Sequence, residues 1–120
     1  MNLRSCLPVV FLAAVFSLAE ADAQSQPQLN AEEYARFEKA DANLNKVYGQ
    51  LLAKLDAEGK AKLKVAQRAW VAFRDAQAEM DADIMRGGSA AALLQAGSLR
   101  TNTERRIADL KQLLNSYSDP

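Results

Sequence analysis

The sequence predicts an all-α fold, an antiparallel up-down-up bundle of three helices. Apolar residues recur at alternating spacings of three and four, which is the period of one helix face. Gly and Pro are nearly absent from the interiors of these segments, and no strand-like alternation of polar and apolar residues occurs. Hydrophobic residues make up 49% of the 120 positions, which favours a packed domain over disorder. Short connections between the helices imply antiparallel neighbours.

The first 23 residues have the pattern of a cleavable secretory signal. Arg4 precedes an apolar run over 7–19, and Ala23 closes a small-x-small site for signal peptidase. The run is shorter than the roughly 20 residues that span a bilayer, so a retained membrane anchor is the weaker interpretation. Cys6, the only cysteine, would leave with the signal. We therefore expect a cysteine-free protein, periplasmic or secreted, with no integral membrane span after signal removal.

The first helix is predicted over residues 30–55. A polar linker at 24–29, containing Pro27, precedes it, and Asn30 is a plausible N-cap. One acidic residue interrupts an otherwise apolar stripe formed by Tyr34, Phe37, Asp41, Leu44, Tyr48, Leu51 and Leu55.

Two further helices are predicted over residues 57–86 and 89–115. Asp56 is the expected N-cap of the second, and Gly87-Gly88-Ser89 ends it, with Ser89 as the cap of the third. The stripe of the second helix is Leu63, Ala66, Trp70, Phe73, Gln77, Met80 and Ile84. The third carries Leu93, Ala96, Thr103, Ile107, Leu110 and Leu114. The helical domain is thus expected to cover residues 30–116, followed by a disordered tail at 117–120.

Short turns also predict one contact between helices. With the first turn centred near Ala57 and Glu58, Asp41 lies opposite Arg74. Both interrupt apolar stripes at the same height, so we predict a partly buried, charge-assisted pair. Two roles stay open at this point: the pair fixes helix register, or it holds a ligand.

Several motifs closely resemble the lysozyme-inhibitor LprI-like N-terminal domain. The segments that carry the resemblance are A-D-x-x-L-N-x-x-Y from Ala40, A-Q-R-x-W-x-x-F-R-D-A from Ala66, G-G-S from Gly87, and T-x-x-R-x-x-x-L from Thr103. The resemblance covers about residues 29–114 and implies a small exported bacterial helical domain with no catalytic set and no cofactor. Its motif residues are interpreted as packing and register elements: Asp41, Asn45, Tyr48, Gln67, Trp70, Phe73, Arg74, Thr103 and Arg106.

The chain departs from the family pattern at three positions. Members usually carry cysteines where this sequence has Glu32, Gln77 and Ser98. In the antiparallel hairpin of helices two and three, residues 77 and 98 lie opposite each other. The resemblance therefore implies a family disulfide across the hairpin, whose absence here costs roughly 2–4 kcal/mol by loop-closure reasoning.

Composition excludes much catalytic and metal chemistry. The chain has no His, so no imidazole base or His-ligated zinc is present. Glu79 and Asp83 share a helix face, but a solvated acidic face explains them better than a cation site. Four nearby cations, Lys60, Lys62, Lys64 and Arg68, lack the interleaved aromatics typical of nucleic-acid binding. We expect no enzyme activity, no metal site and no nucleic-acid partner.

The preferred functional interpretation is a protein-binding module. Its expected contact surface is the tip of the second hairpin, formed by Asp81, Asp83, Met85, Arg86, Gly87, Gly88 and Ser89. The expected partner is another protein, a lysozyme or another cell-wall-active enzyme, since lysozymes are commonly basic and an acidic surface aids encounter. The alternative is a structural or stress-related envelope protein without inhibitory activity. The sequence does not define the oligomeric state.

Without the predicted signal, the net charge is +1, from 14 basic and 13 acidic residues, and it divides into two poles in this bundle. The end formed by residues 30–41 and 75–99 holds eight acidic and three basic side chains. The opposite end, 42–74 and 100–120, holds 11 basic and 5 acidic side chains. This separation favours a charged partner at the acidic, hairpin-tip end.

Overall fold

The computed structural model describes residues 24–118 and confirms the all-α prediction. The order is α1 (Gln26–Lys54), α2 (Ala57–Ala82), a 3₁₀ turn (Asp83–Met85) and α3 (Ala91–Ser118). The predicted signal peptide, residues 1–23, lies outside the described residues, as do residues 119–120. Within 24–118, no helix is both long and apolar enough to cross a membrane.

The first helix begins four residues earlier than predicted. Its N-cap is Ser25, not Asn30: the Ser25 hydroxyl accepts from the Gln28 amide N–H, and the Gln28 side chain accepts from the Ser25 N–H. Pro27 belongs to the first turn, where its missing N–H costs no helical hydrogen bond. The polar stretch predicted as a linker is therefore mostly helix, because Ser and Pro at these positions start a helix rather than interrupt one.

The ends of the second hairpin also differ from the prediction. Asp56 caps α2 as expected, its carboxylate accepting from the Gly59 amide at 2.8 Å. The helix ends at Ala82, and the chain turns through the 3₁₀ segment and Gly87, whose φ of 76° suits glycine. Helix α3 begins at Ala91, so Ser89 lies in the turn and does not cap it. At the other end α3 extends to Ser118, two residues into the predicted disordered tail.

Helix α3 packs against both other helices, whereas α1 and α2 approach each other closely at few points. The core lies towards the end of the bundle where α1 meets α2. It is built from Leu44, Val47 and Leu51 of α1, Leu63 of α2, and Ile107 and Leu110 of α3. Burial of these side chains is the main favourable contribution to folding. Towards the hairpin tip, the buried apolar residues include the small Ala78 and Ala96.

The buried face of α2 is rotated from the predicted stripe by about one residue. Phe73 is 55% exposed, and Met80 and Ile84 are exposed further, so the expected burial of this part of the stripe is wrong. The buried residues of α2 are Leu63, Arg74 and Ala78. The rotation follows from the packing, because α2 turns its inner face to α3 and no helix within residues 24–118 covers the side that carries Phe73.

Candidate functional site

The predicted pair of Asp41 and Arg74 is confirmed. An Arg74 guanidinium N–H donates to the Asp41 carboxylate at 3.1 Å, and Nε donates to Asp75 at 2.9 Å. The Arg74 side chain is only 10% exposed. Its guanidinium carbon also lies 5.2 Å from the ring centroids of both Phe37 and Trp70. This cation is therefore held by two carboxylates and two aromatic faces at once.

A second motif contact extends this network to α3. Arg106 donates through Nε to the side-chain oxygen of Gln67 at 3.0 Å and lies 5.8 Å from the Trp70 ring centroid. Trp70 packs partly buried against the core. Thr103, fully buried, donates its hydroxyl proton to the Leu99 carbonyl at 2.7 Å. The contacts of Arg106 with Gln67 and Trp70 thus join α3 to α2, whereas the Thr103 hydrogen bond lies within α3.

Sequence reasoning missed a buried carboxylate near the start of α1. Glu33 is 7% exposed and accepts hydrogen bonds from Arg100 of α3 and from Arg36. The Arg100 hydrogen bond lowers the pKa of Glu33 below its ordinary value, against the opposing effect of burial. Arg100 also contacts Glu104, and the two carboxylates raise its own pKa. In the sequence Glu33 stands directly before Tyr34, and its local pattern does not distinguish it from a solvent-exposed acid.

The predicted tip residues lie together at the surface, but they differ in their contacts. Asp83 and Arg86 pair through two hydrogen bonds of 2.8 Å. Met85 is 42% exposed, whereas Gly87 and Gly88 form the turn itself. The Ser89 carbonyl accepts from the Asn30 side chain of α1 at 3.3 Å, which ties the turn to the first helix.

Asp81, also predicted at the tip, joins the two positions where the resemblance places cysteines. Its carboxylate accepts from the Ser98 hydroxyl at 2.6 Å and from the Gln77 amide at 2.7 Å. These two hydrogen bonds, with that of Ser98 first, lower the pKa of Asp81. A polar bridge therefore connects α2 and α3 at the site of the implied disulfide.

We expect that Gln77→Cys combined with Ser98→Cys forms a disulfide and raises the free energy of unfolding by about 2–4 kcal/mol, since the bond closes a loop in the unfolded chain. Thermal unfolding with and without reductant, with thiol titration, measures this. Gln77→Cys alone is the control. Free thiols that persist under oxidising conditions would show that positions 77 of α2 and 98 of α3 do not lie opposite each other.

Two surface stripes run along α2 towards the tip. Phe73, Met80 and Ile84 form an exposed apolar stripe, with Met80 69% and Ile84 83% exposed. Asp75, Glu79 and Asp83 follow at four-residue spacing on the adjacent side. We call the end of the two stripes, Glu79–Ile84, the α2 tip surface.

The charge on the tip surface is negative and only partly compensated. Asp83 is neutralised by Arg86, while Asp81 has only neutral hydrogen-bond donors. Glu79 forms no ion pair within residues 24–118. Across the same residues, no group of three or more His, Cys, Asp or Glu is arranged to hold a metal ion. The arrangement offers apolar contact area beside two carboxylates, Glu79 and Asp81, that form no ion pair within residues 24–118, which suits recognition of a protein.

A family model described as lysozyme inhibitor LprI matches residues 18–110 of the chain. The chain belongs to the LprI family. It is also 37% identical to an uncharacterized protein of Rhizobium meliloti (strain 1021), over 78% of this chain and 77% of the relative. No solved structure matches the chain. LprI is a family of inhibitors and not of enzymes, in accord with the expected absence of catalytic activity.

Proposed function

We propose that this protein is an exported, non-enzymatic inhibitor that binds a lysozyme through the α2 tip surface. Membership of the LprI family supports an inhibitory role towards a protein partner. The observation that carries the choice of surface is the exposure of Met80 and Ile84, both more than two-thirds exposed, beside Glu79 and Asp81, which form no ion pair within residues 24–118. Large apolar side chains grouped at a surface are typical of interaction sites.

Charge complementarity supports a basic enzyme as the occupant. Glu79 and Asp81 flank Met80, so negative charge adjoins the apolar contact that would be buried. Lysozymes are commonly basic, and opposite charges at the rim of an interface accelerate encounter. Met80 and Ile84 would become buried in the complex and would supply most of the affinity, because a few desolvated central residues dominate binding energy.

We expect Met80→Gln combined with Ile84→Gln to weaken inhibition of lysozyme at least about tenfold, through loss of buried apolar contact. The measurement is cell-wall hydrolysis by lysozyme, titrated with each purified variant. Val65→Gln combined with Leu113→Gln is the matched control, since these residues are also exposed apolar side chains but lie away from the tip. Circular dichroism establishes that both variants keep their helices.

Two results would contradict parts of this proposal. Equal potency of the tip variant and the control would be compatible with an inhibitory function but would show that the α2 tip surface is not the contact surface. Absence of inhibition by the unaltered protein at high micromolar concentration would reject the inhibitor, and would leave the structural or stress-related envelope protein as the interpretation.

A further inference from the structure

A cleft lies between α1 and α2, on the side of the bundle where these helices diverge. Its volume is about 630 Å³, within the range of small-molecule sites. The cleft exists because α3 packs against both helices while α1 and α2 touch at few points. Its polar lining comes from Asp41, Asn45 and Tyr48 on α1 and from Lys64, Gln67, Arg68 and Arg74 on α2.

The charge of this lining is positive and lacks a counter-ion. Lys64 and Arg68 are four residues apart on one face of α2, a spacing at which like charges repel. Neither forms an ion pair with another residue of 24–118. The one carboxylate in the cleft, Asp41, is bound to Arg74. Lys64 and Arg68 thus line an open cleft in which the carboxylate of Asp41 is already paired with Arg74.

Neutral polar groups in the cleft also lack hydrogen-bond partners within residues 24–118. The Gln67 side-chain oxygen accepts from Arg106, while its amide N–H groups have no partner within residues 24–118. Asn45 and the Tyr48 hydroxyl likewise make no side-chain hydrogen bond there. Amide and hydroxyl donors next to cations are the groups that bind oxyanions.

We propose that the cleft between α1 and α2 binds a small oxyanion ligand, carrying a carboxylate or a phosphate. Lys64 and Arg68 supply the charge, and Asn45, Tyr48 and Gln67 supply neutral hydrogen bonds. Arg74 is already engaged by two carboxylates and shapes the wall of the cleft. This site is separate from the α2 tip surface and does not depend on the proposed inhibition.

The test is a titration of the unaltered protein, followed by backbone amide NMR at low ionic strength, with three probes. Pyrophosphate tests phosphate, N-acetylmuramic acid tests a carboxylated sugar, and N-acetylglucosamine is its neutral counterpart. We expect saturable shifts at residues of the cleft with pyrophosphate, N-acetylmuramic acid or both, and the active probe identifies the source of the oxyanion. Shifts of equal size with the neutral sugar, or no saturable shifts with either anion, would overturn the proposal.

Paired variants separate the site from general electrostatic attraction. Lys64→Gln combined with Arg68→Gln removes two charges from the cleft and should weaken binding of the active anion at least about tenfold. Lys54→Gln combined with Lys62→Gln removes two charges from exposed positions outside the lining and should change affinity less than about twofold. Equal effects of the two variants would overturn the proposal, because binding would then follow net charge alone.

Discussion

Replacing Arg74 by alanine is expected to lower the free energy of unfolding by about 3 kcal/mol, the low end for breaking a buried ion pair. The substitution removes the partner of Asp41 and Asp75 and the cation between Phe37 and Trp70. Both carboxylates are partly exposed and regain some hydration, which limits the loss. Urea unfolding followed by circular dichroism measures the change.

Arg68→Ala is the matched control for this substitution. It removes the same side chain from the same helix at an exposed position and should change stability by less than about 0.5 kcal/mol. Arg74→Lys should restore only part of the loss, because lysine lacks the planar fork that contacts two carboxylates. Similar stabilities for Arg74→Ala and Arg68→Ala would show that the Arg74 network does not hold the helices together.

Replacing Glu33 by glutamine is expected to destabilise the protein by about 3 kcal/mol at neutral pH, since Arg100 then loses its buried counter-charge. The pKa of Glu33 is lowered in the folded state, so the folded protein binds fewer protons than the unfolded chain. The stabilisation by Glu33 is therefore complete above its ordinary pKa of 4.5 and is lost as pH falls through the folded-state value.

The pH dependence provides the control for Glu33→Gln. Urea unfolding near pH 7 should separate the variant from the unaltered protein, and the difference should shrink as the pH falls through the lowered folded-state pKa of Glu33. Glu38→Gln, at an exposed position of the same helix, should leave stability nearly unchanged over the same pH range. A stability difference for Glu33→Gln that is constant with pH would contradict the ionic role of Glu33.

The contacts that sequence could predict are those with two independent signals. Asp41 and Arg74 each interrupt an apolar stripe, and the short turn between their helices places them at one height. Asp56 stands directly before a helical pattern, where its side chain has one obvious role. In both cases local chemistry and helix geometry agree, and the structure confirms the contact.

The features that the sequence could not predict depend on which face of each helix packs against which neighbouring helix. Phe73 fits an apolar stripe, but α2 uses a neighbouring face because α3, not α1, covers most of it. Glu33 would lie in the first turn of a helix that begins near residue 30, but α1 begins at Gln26, and α3 brings Arg100 to Glu33 from 67 positions away in the chain. The cleft between α1 and α2 likewise forms because α3 packs against both helices while they contact each other little. The pattern of apolar residues within one helix does not predict such an arrangement.

Packing also changes the interpretation of the two charged poles. Two carboxylates of the acidic end, Glu33 and Asp41, are neutralised by Arg100 and Arg74 of the basic part. Four carboxylates of the acidic end form no ion pair within residues 24–118: Glu32 and Glu38 on α1, and Glu79 and Asp81 on α2. Of these, Glu79 and Asp81 flank the exposed Met80. The surface proposed to bind a partner is therefore only a small part of the acidic end.

The most direct test of the central claim is calorimetric titration of lysozyme with the purified protein at two ionic strengths. The proposed recognition predicts saturable one-to-one binding at about 20 mM salt and an affinity at least about tenfold weaker at about 500 mM, because salt screens the contribution of Glu79 and Asp81. Absence of binding at about 20 mM salt and high micromolar protein would contradict the claim, as would an affinity unchanged by salt.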